Sequence, residues 1–234
     1  MSAVAAGAPE NARPASPLRG MPAFLGTVSG FFRRRRLRRF RAFFSEAACR
    51  RVVDLGGSTY HWELLDWPGE VSIVNRDAEE LGTGLGNDRR RYRFVVADAT
   101  RTGLPDGSFD LAFSNSVIEH VGDREDQRRF AAEMLRLAPN VWCQSPNRWF
   151  FFETHLMTVF VHYLPLSWQV PLVRNFSLWG WLNRPTRDQA RAYLGISRLL
   201  TRRDMEELFP GCEILVERFL GLPKSFVAVR RATR

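Results

Sequence analysis

The sequence predicts one α/β domain, in which a mostly parallel seven-stranded sheet lies between two layers of helices. From Arg51 onwards, short apolar runs alternate with helix-forming segments, which favours parallel strands joined by right-handed crossovers. The 234 residues, 45% of them hydrophobic, suffice for one core of ordinary size. Charged residues make up 25% of the chain, which is typical of a folded domain.

Seven apolar runs are predicted as the strands of the sheet. They are Val52–Leu55, Val71–Val74, Phe94–Ala97, Phe109–Ser114, Val141–Gln144, Glu213–Val216 and Phe226–Val229. The final pair is expected to be antiparallel. A helix is predicted from an N-cap at Asp123 to about Leu137, before Pro139. The segment Thr201–Asp204 has the pattern of a capping box and predicts a second helix after it.

The N-terminal part differs in composition from the rest. Residues 1–22 are rich in Ala, Pro, Gly and Ser, and we expect a disordered tail there. Residues 23–47 are predicted to form a basic amphipathic helix, with seven arginines within 33–41 and apolar residues at helical spacing. Such a helix can bind an anionic membrane surface, or pack its apolar stripe on the domain with its arginines in water. Both interpretations stay open.

Charge and cysteine content bear on partners and compartment. The net charge of +9 comes almost entirely from arginine, which suits phosphate recognition but also follows from a GC-rich genome. Three isolated cysteines indicate a reducing compartment. No apolar run is long enough for a transmembrane helix. We expect a cytoplasmic protein, peripheral at the membrane if residues 23–47 bind lipid, although the acid-poor N-terminus also fits a mitochondrial transit peptide.

Polar residues end four of the predicted strands, and these ends meet at the ligand-binding edge of an open parallel sheet. The first strand ends in Asp54-Leu55-Gly56-Gly57-Ser58, whose glycines allow a tight turn close to a ligand. Asn75 and Asp77 end the second strand, at the spacing of a ribose-binding residue in nucleotide-binding folds. The third and fourth strands end in Asp98 and in Ser114-Asn115-Ser116.

Four motifs resemble those of class I S-adenosylmethionine-dependent methyltransferases. They are Asp54–Ser58, Ala97–Ala99, Leu104–Leu111 and Asn115–Val121. The stretch LPDGSFDLAFSNSVIEHV is the most specific, and it is similar to the fourth-strand region of the small-molecule and lipid-modifying members (methyltransferase type 11). The resemblance covers residues 50–145. It implies a Rossmann-like three-layer sandwich with an antiparallel last strand, and S-adenosyl-L-methionine as the cofactor.

The resemblance implies a cofactor-binding role for each strand end. The methionine portion would lie against Asp54, Gly56, Gly57 and Ser58, the ribose against Asn75 or Asp77, the adenine against Asp98 and Ala99, and the sulfonium near Asn115 and Ser116. Two departures weaken the match. Ser58 and Tyr60 replace glycines, and Asn75 replaces an acidic residue, so cofactor affinity is expected to be low or the protein to bind without catalysing.

Catalysis by methyl transfer needs positioning and, for an oxygen nucleophile, a base. His120 is the leading candidate because it follows the fourth strand at the mouth of the site, and Glu119 and His155 are further candidates. The pair Glu119-His120 can equally form hydrogen bonds at a helix terminus. Glu153, His155 and His162 have no fourth ligand, so no metal is expected.

Residues 148–182 are rich in aromatics and are predicted to form a lid or insertion in a methyltransferase domain over 48–234. The insertion can cover the core, hold a lipid-like or aromatic acceptor, or dip into a bilayer surface. We therefore expect methyl transfer to a small-molecule, lipid-linked or glycan acceptor. An RNA methyltransferase is a rival, although Ser145-Pro146-Asn147 lacks the base-amino methylation signature and nucleic acid is an unexpected partner. A non-catalytic cofactor-binding scaffold is another.

Overall fold

The structure is a computed structural model that describes residues 23–45, 48–76, 92–153 and 158–232. The predicted tail over 1–22 and the candidate residues Asp77 and His155 lie outside these ranges. The chain divides into two compact units. The larger contains the described residues within 29–150 and 198–232, and the smaller contains those within 23–28 and 151–197.

A seven-stranded sheet forms the centre of the larger unit. The strands among the described residues are β1 (Arg51–Leu55), β2 (Glu70–Asn75), β3 (Tyr92–Val96), β4 (Leu111–Asn115), β5 (Asn140–Pro146), β6 (Phe152–Glu153), β7 (Thr158–Val159), β8 (Glu213–Phe219) and β9 (Leu222–Arg230). The order in the sheet is β3-β2-β1-β4-β5-β9-β8. The first five strands pair in parallel, and β9 is antiparallel to both of its neighbours. The predicted mostly parallel sheet is confirmed.

Helices cover both faces of this sheet, as the sandwich prediction requires. Within the described ranges the α-helices are α1 (Ala23–Phe43), α2 (Thr59–Leu65), α3 (Arg124–Leu137), α4 (Leu166–Phe176), α5 (Leu178–Asn183), α6 (Arg187–Ile196) and α7 (Arg202–Leu208). Residues of α1 and α2 share one apolar core with the sheet, and residues of α3 and α7 share the other. None of the described helices is both long and apolar enough to cross a membrane.

The two predicted helix starts are confirmed by their capping boxes. The Asp123 carboxylate accepts hydrogen bonds from the backbone amides of Glu125 and Asp126, at 2.8 and 3.0 Å, at the start of α3. At the start of α7, the Thr201 hydroxyl accepts from the Asp204 amide at 3.2 Å. Each cap satisfies amides that the first helical turn cannot bond internally.

Aromatic side chains fill the core between α1 and the sheet, with Phe40 at their centre. The Phe40 side chain is fully buried. Five rings, those of Phe44, Trp62, Trp67, Phe113 and Trp142, have their centroids between 5.3 and 6.1 Å from that of Phe40. The apolar stripe of the basic helix therefore packs on the domain, as one of the two interpretations expected.

Not every arginine of that helix is in water. Arg36 is buried, and its Nε and Nη2 donate hydrogen bonds to the Glu217 carboxylate on β8 at 2.6 to 3.1 Å. Its Nη1 donates to Asn115 Oδ1 on β4 at 2.6 Å and to Gln144 Oε1 on β5 at 2.9 Å. Ser225 on β9 also donates to Glu217. One guanidinium thus connects α1 to three strands, and Ser225 adds a fourth strand to the cluster through Glu217.

Burial and the neighbouring polar groups act in opposite directions on the pKa of the buried Glu217 carboxyl. Burial raises the pKa of Glu217, but Arg36 and the Ser225 hydroxyl outweigh it, so the net pKa is lowered. The cluster therefore holds a paired cation and anion at neutral pH.

We expect Arg36→Gln to lower the free energy of unfolding by about 3–5 kcal/mol at neutral pH, because the buried Glu217 carboxylate loses the cation that is hydrogen-bonded to it and retains only the more distant charge effect of Lys224. Denaturant unfolding measures this, with Arg35→Gln on the exposed side of α1 as the matched control. Without Arg36 the pKa of the buried Glu217 carboxyl should be raised, so the deficit should shrink as the pH falls and Glu217 takes up a proton. Equal effects of the two substitutions would contradict this role.

Candidate functional site

The carboxyl ends of β1 and β4 lie side by side, because β1 pairs with β2 on one side and with β4 on the other. This reversal of strand order is where open α/β sheets bind ligands. Gly56 follows β1 with a φ of 74°, and a Cβ there would lie 2.4 Å from Cγ1 of Val117. Only glycine fits this turn.

Asp54 has an incompletely bonded carboxylate in this turn. Trp62 Nε1 donates to Oδ2 at 2.8 Å, whereas the buried Oδ1 has no hydrogen-bond partner among the described residues. A Cβ on Gly57 would lie 1.9 Å from Oδ2, so a side chain there would displace the carboxylate. Burial raises the pKa of Asp54 to about 7, against a smaller lowering by Trp62. An orphaned acceptor beside a glycine turn fits the ammonium group of a methionine moiety.

Ser58 and Tyr60 replace two glycines of the family's motif, and the backbone at both positions accommodates them. Ser58 has a φ of −144°, which is extended backbone that any residue adopts. The Tyr60 hydroxyl accepts from Arg33 at 3.0 Å, and the Arg33 guanidinium lies 4.9 Å from the centre of the Tyr60 ring. These two contacts connect α1 with α2 near the residues predicted to bind the methionine portion of the cofactor.

Asp98 follows β3 and is partly exposed. One carboxylate oxygen accepts from the backbone amide and the hydroxyl of Thr100, both at 2.8 Å, and the other pairs with Arg76. Burial acts to raise the pKa of Asp98, but these hydrogen bonds and the Arg76 charge lower it overall, so the group is ionised at neutral pH. Two carboxylate oxygens have about four acceptor positions, which leaves capacity for a further donor. Ala99, the next residue in the sequence, is half-buried, and so is Asn75 at the end of β2.

Asn115 and Ser116 end β4 in fixed orientations. Asn115 Oδ1 is the acceptor of Arg36 described above, and the Ser116 hydroxyl donates to Gln144 Oε1 at 2.8 Å. Ser116 adopts a left-handed backbone with a φ of 56°. The predicted sulfonium neighbours are therefore part of the Arg36 cluster, which sequence reasoning missed. Its only signal was the position of Arg36, four residues from both Phe32 and Phe40 on the buried face.

His61 on α2 is a second residue that sequence reasoning missed. Both ring nitrogens are buried and have no hydrogen-bond partner among the described residues. Its ring centre lies 6.0 Å from that of Phe113 on β4. Burial, and then the charges of Arg33 and Arg36, lower the pKa of His61 to about 4, so the imidazole is neutral at pH 7. No periodicity in the sequence distinguishes this histidine.

The predicted catalytic pair lies in a short 3₁₀ helix, Ile118–His120, after β4. The Glu119 side chain is fully buried, and the Ser145 hydroxyl donates to it at 3.2 Å. These features favour the structural interpretation of Glu119. His120 is half-buried, and its backbone amide donates to the Val117 carbonyl at 2.7 Å. Among the described residues no group of three or more His, Cys, Asp and Glu side chains could hold a metal ion.

Comparisons with known proteins agree with this geometry. Residues 48–140 match the family model of a methyltransferase domain. NodS, an N-methyltransferase from Bradyrhizobium japonicum solved with S-adenosyl-L-homocysteine, is 12% identical with a TM-score of 0.56, and the match covers 95% of each chain. An S-adenosylmethionine-dependent methyltransferase from Mesorhizobium loti is 16% identical with a TM-score of 0.54, covering 82% of this chain and 95% of that one.

A third solved structure has a named acceptor. Phosphoethanolamine N-methyltransferase 2 from Haemonchus contortus, in complex with phosphomonomethylethanolamine and S-adenosylhomocysteine, is 18% identical with a TM-score of 0.51. The match covers 76% of this chain and 37% of that one. A search of curated protein sequences found no significant match. At these identities the solved structures show the fold alone. Residues 48–140 are similar to a methyltransferase domain, in a chain that has the fold of S-adenosylmethionine-dependent methyltransferases.

Proposed function

We propose that this enzyme transfers a methyl group from S-adenosyl-L-methionine to a small-molecule, lipid-linked or glycan acceptor. The observation that carries the proposal is the carboxylate of Asp54, whose buried Oδ1 is unbonded among the described residues beside the Gly56-Gly57 turn. Small acceptors are supported by the similar fold of an enzyme solved with phosphomonomethylethanolamine. Residues Asp54, Gly56, Gly57 and Ser58 would hold the methionine portion.

Further residues complete the proposed cofactor site. Asn75 would hold the ribose and Asp98, with Ala99, the adenine amino group. Asp77, the other ribose candidate, lies outside the described residues. Asn115 and Ser116 would stand near the sulfonium, where Arg36 fixes the direction of the Asn115 amide oxygen.

The bound cofactor supplies a methyl group on a positively charged sulfur, so the chain's own residues have to orient the acceptor and remove its proton. His120, at the end of the 3₁₀ helix after β4, is the proposed base. His61 is neutral at pH 7, so a ring nitrogen can accept a hydrogen bond from the substrate that receives the methyl group. The candidate His155 lies outside the described residues.

The proposal also includes contact between α1 and an anionic membrane surface. Because Phe40 and its neighbours are buried, α1 would bind such a surface by charge and not by inserting its apolar stripe. Three exposed arginines of α1 are proposed for this role, namely Arg34, Arg35 and Arg38. Attraction of this kind weakens as salt screens the charges.

Cofactor turnover tests the proposal directly. The purified chain is incubated with methyl-labelled S-adenosyl-L-methionine and fractions containing lipids, glycans, small metabolites or RNA, and transfer of label is followed with release of S-adenosylhomocysteine. Label in a lipid, glycan or small-molecule fraction supports the proposal. Label in RNA alone, or cofactor binding without transfer to any fraction, would favour one of the two rival functions.

We expect Asp98→Ala to weaken S-adenosylhomocysteine binding by about 1–3 kcal/mol, because an acceptor for the adenine amino group is lost. Calorimetric titration measures the affinity. Asp106→Ala is the matched control, since this carboxylate is on an exposed turn and pairs with Arg136. Unchanged affinity of the Asp98 variant, at unchanged thermal stability, would remove Asp98 from the site.

Asp54 should make cofactor binding depend on pH. Below its pKa of about 7 the carboxyl is protonated, so binding of the cofactor's ammonium group has to displace a proton. Affinity for S-adenosylhomocysteine should therefore rise between about pH 5.5 and pH 8 and level off above that. Titration in buffers of different ionisation enthalpy should show proton release below pH 7. Asp54→Asn should abolish both effects, and a pH-independent wild-type affinity would contradict the role.

A further inference from the structure

A cavity of about 430 Å³ lies in the smaller unit, where α4 ends and α5 begins. Its lining consists of Arg174, Asn175, Gly180, Trp181 and Arg184. The two arginines are exposed, and neither guanidinium forms an ion pair or hydrogen bond with any of the residues that the structure describes. Among the described residues, the wall of the cavity thus has two cationic groups without an ion pair and no acidic group.

The backbone around this cavity is held by specific contacts. The Ser177 hydroxyl accepts from the Gly180 amide at 2.8 Å. A Cβ on Gly180 would lie 2.2 Å from the Val173 carbonyl oxygen and 2.5 Å from that of Arg174, so no larger residue fits between the two helices. The ends of α4 and α5 are therefore packed backbone against backbone, which fixes the positions from which Arg174 and Trp181 project.

Trp181 and Arg184 are also held in place through their own contacts. The Trp181 indole donates to the Asn175 carbonyl at 2.8 Å, although the side chain is 72% exposed. Arg184 has a left-handed backbone, with a φ of 44°, and its amide donates to the Gly180 carbonyl at 2.9 Å. A residue with a Cβ adopts this conformation at a conformational cost. The Trp181 ring and the backbone from which Arg184 projects are thus held at the cavity.

The charge of the surrounding segment favours an anion. Residues 151–197 contain four arginines and only two acidic residues. Two guanidiniums that share a cavity repel each other unless an anion lies between them, and the planar guanidinium fork matches a phosphate with two parallel hydrogen bonds. A cation in the last turn of α4 would explain Arg174 alone. It does not explain Arg184 or the cavity.

The surface of the same helix pair is apolar. Trp168 is 64% exposed, Phe176 79% and Trp181 72%. Large aromatic side chains exposed beside cationic groups are typical of surfaces that bind an amphiphilic partner. A ligand with both a phosphate and an apolar body would satisfy both features.

We propose that this cavity binds a phosphate ester with an apolar body, in which Arg174 and Arg184 hold the phosphate and Trp181 contacts the apolar part. The phosphate can belong to a lipid headgroup or to a soluble ester, since both present the same oxygens. The site consists of residues of the smaller unit only, and its existence does not depend on the proposed methyl transfer.

The test compares three forms of the full chain: wild type, the double variant R174Q/R184Q, and R187Q/R191Q as a control. The control removes the same charge from exposed arginines of α6 in the same unit. Calorimetry measures binding of a short-chain phosphatidic acid below its micelle concentration and of inorganic phosphate. Sedimentation measures binding to phosphatidylcholine vesicles with and without phosphatidic acid. Thermal unfolding and S-adenosylhomocysteine binding check that each variant is folded.

We expect R174Q/R184Q to bind the short-chain lipid at least about tenfold more weakly than wild type, and the control to stay within about twofold. Parallel loss of binding to phosphatidic acid vesicles would identify a lipid headgroup as the source. If short-chain phosphatidic acid and inorganic phosphate bind with the same dependence on Arg174 and Arg184, but the vesicles do not bind, the site is supported and its ligand is a soluble ester. No binding by wild type, or an equal loss in R187Q/R191Q, would overturn the proposal, whatever the outcome for methyl transfer.

Discussion

The ion pair between Arg36 and Glu217 is the constraint on which the proposed site depends. Removing both charges from water is costly, and the cost is offset only when each donor and acceptor is bonded. Arg36 meets this condition by bonding to Glu217, Gln144 and Asn115 on three strands. Because Asn115 ends β4, the pair fixes α1 at the edge of the sheet where the sulfonium is proposed to lie.

This cluster also bears on what the basic helix can do. The aromatic stripe centred on Phe40 packs on the sheet, and Arg36 is buried beside it, so the helix cannot leave the domain without exposing both. The exposed arginines of α1 can still attract an anionic surface. The cavity of Arg174 and Arg184 offers a different mode of contact, in which the proposed phosphate would lie between the two guanidiniums, with exposed aromatics beside it.

The fold was predictable because its signals are local. Apolar runs of strand length, capping boxes at Asp123 and Thr201, and the polar strand ends each depend on a few adjacent residues, and the topology then brings the strand ends together. Arg36 could not be assigned in this way, because Glu217 lies 181 positions further along the chain. The same stripe of phenylalanines suits a lipid surface or a protein core, so periodicity alone left that choice open. His61 was missed because its burial results from packing between elements.

The most direct test of the central claim is a calorimetric titration of the purified chain with S-adenosyl-L-homocysteine, followed by displacement with S-adenosyl-L-methionine. We expect saturable binding at one site per chain, because an Asp54 oxygen has no partner among the described residues, the turn beside it is glycine, and Asp98 is ionised. A folded sample that shows neither binding heat nor a rise in melting temperature with either compound would contradict the assignment of a cofactor site to this edge of the sheet.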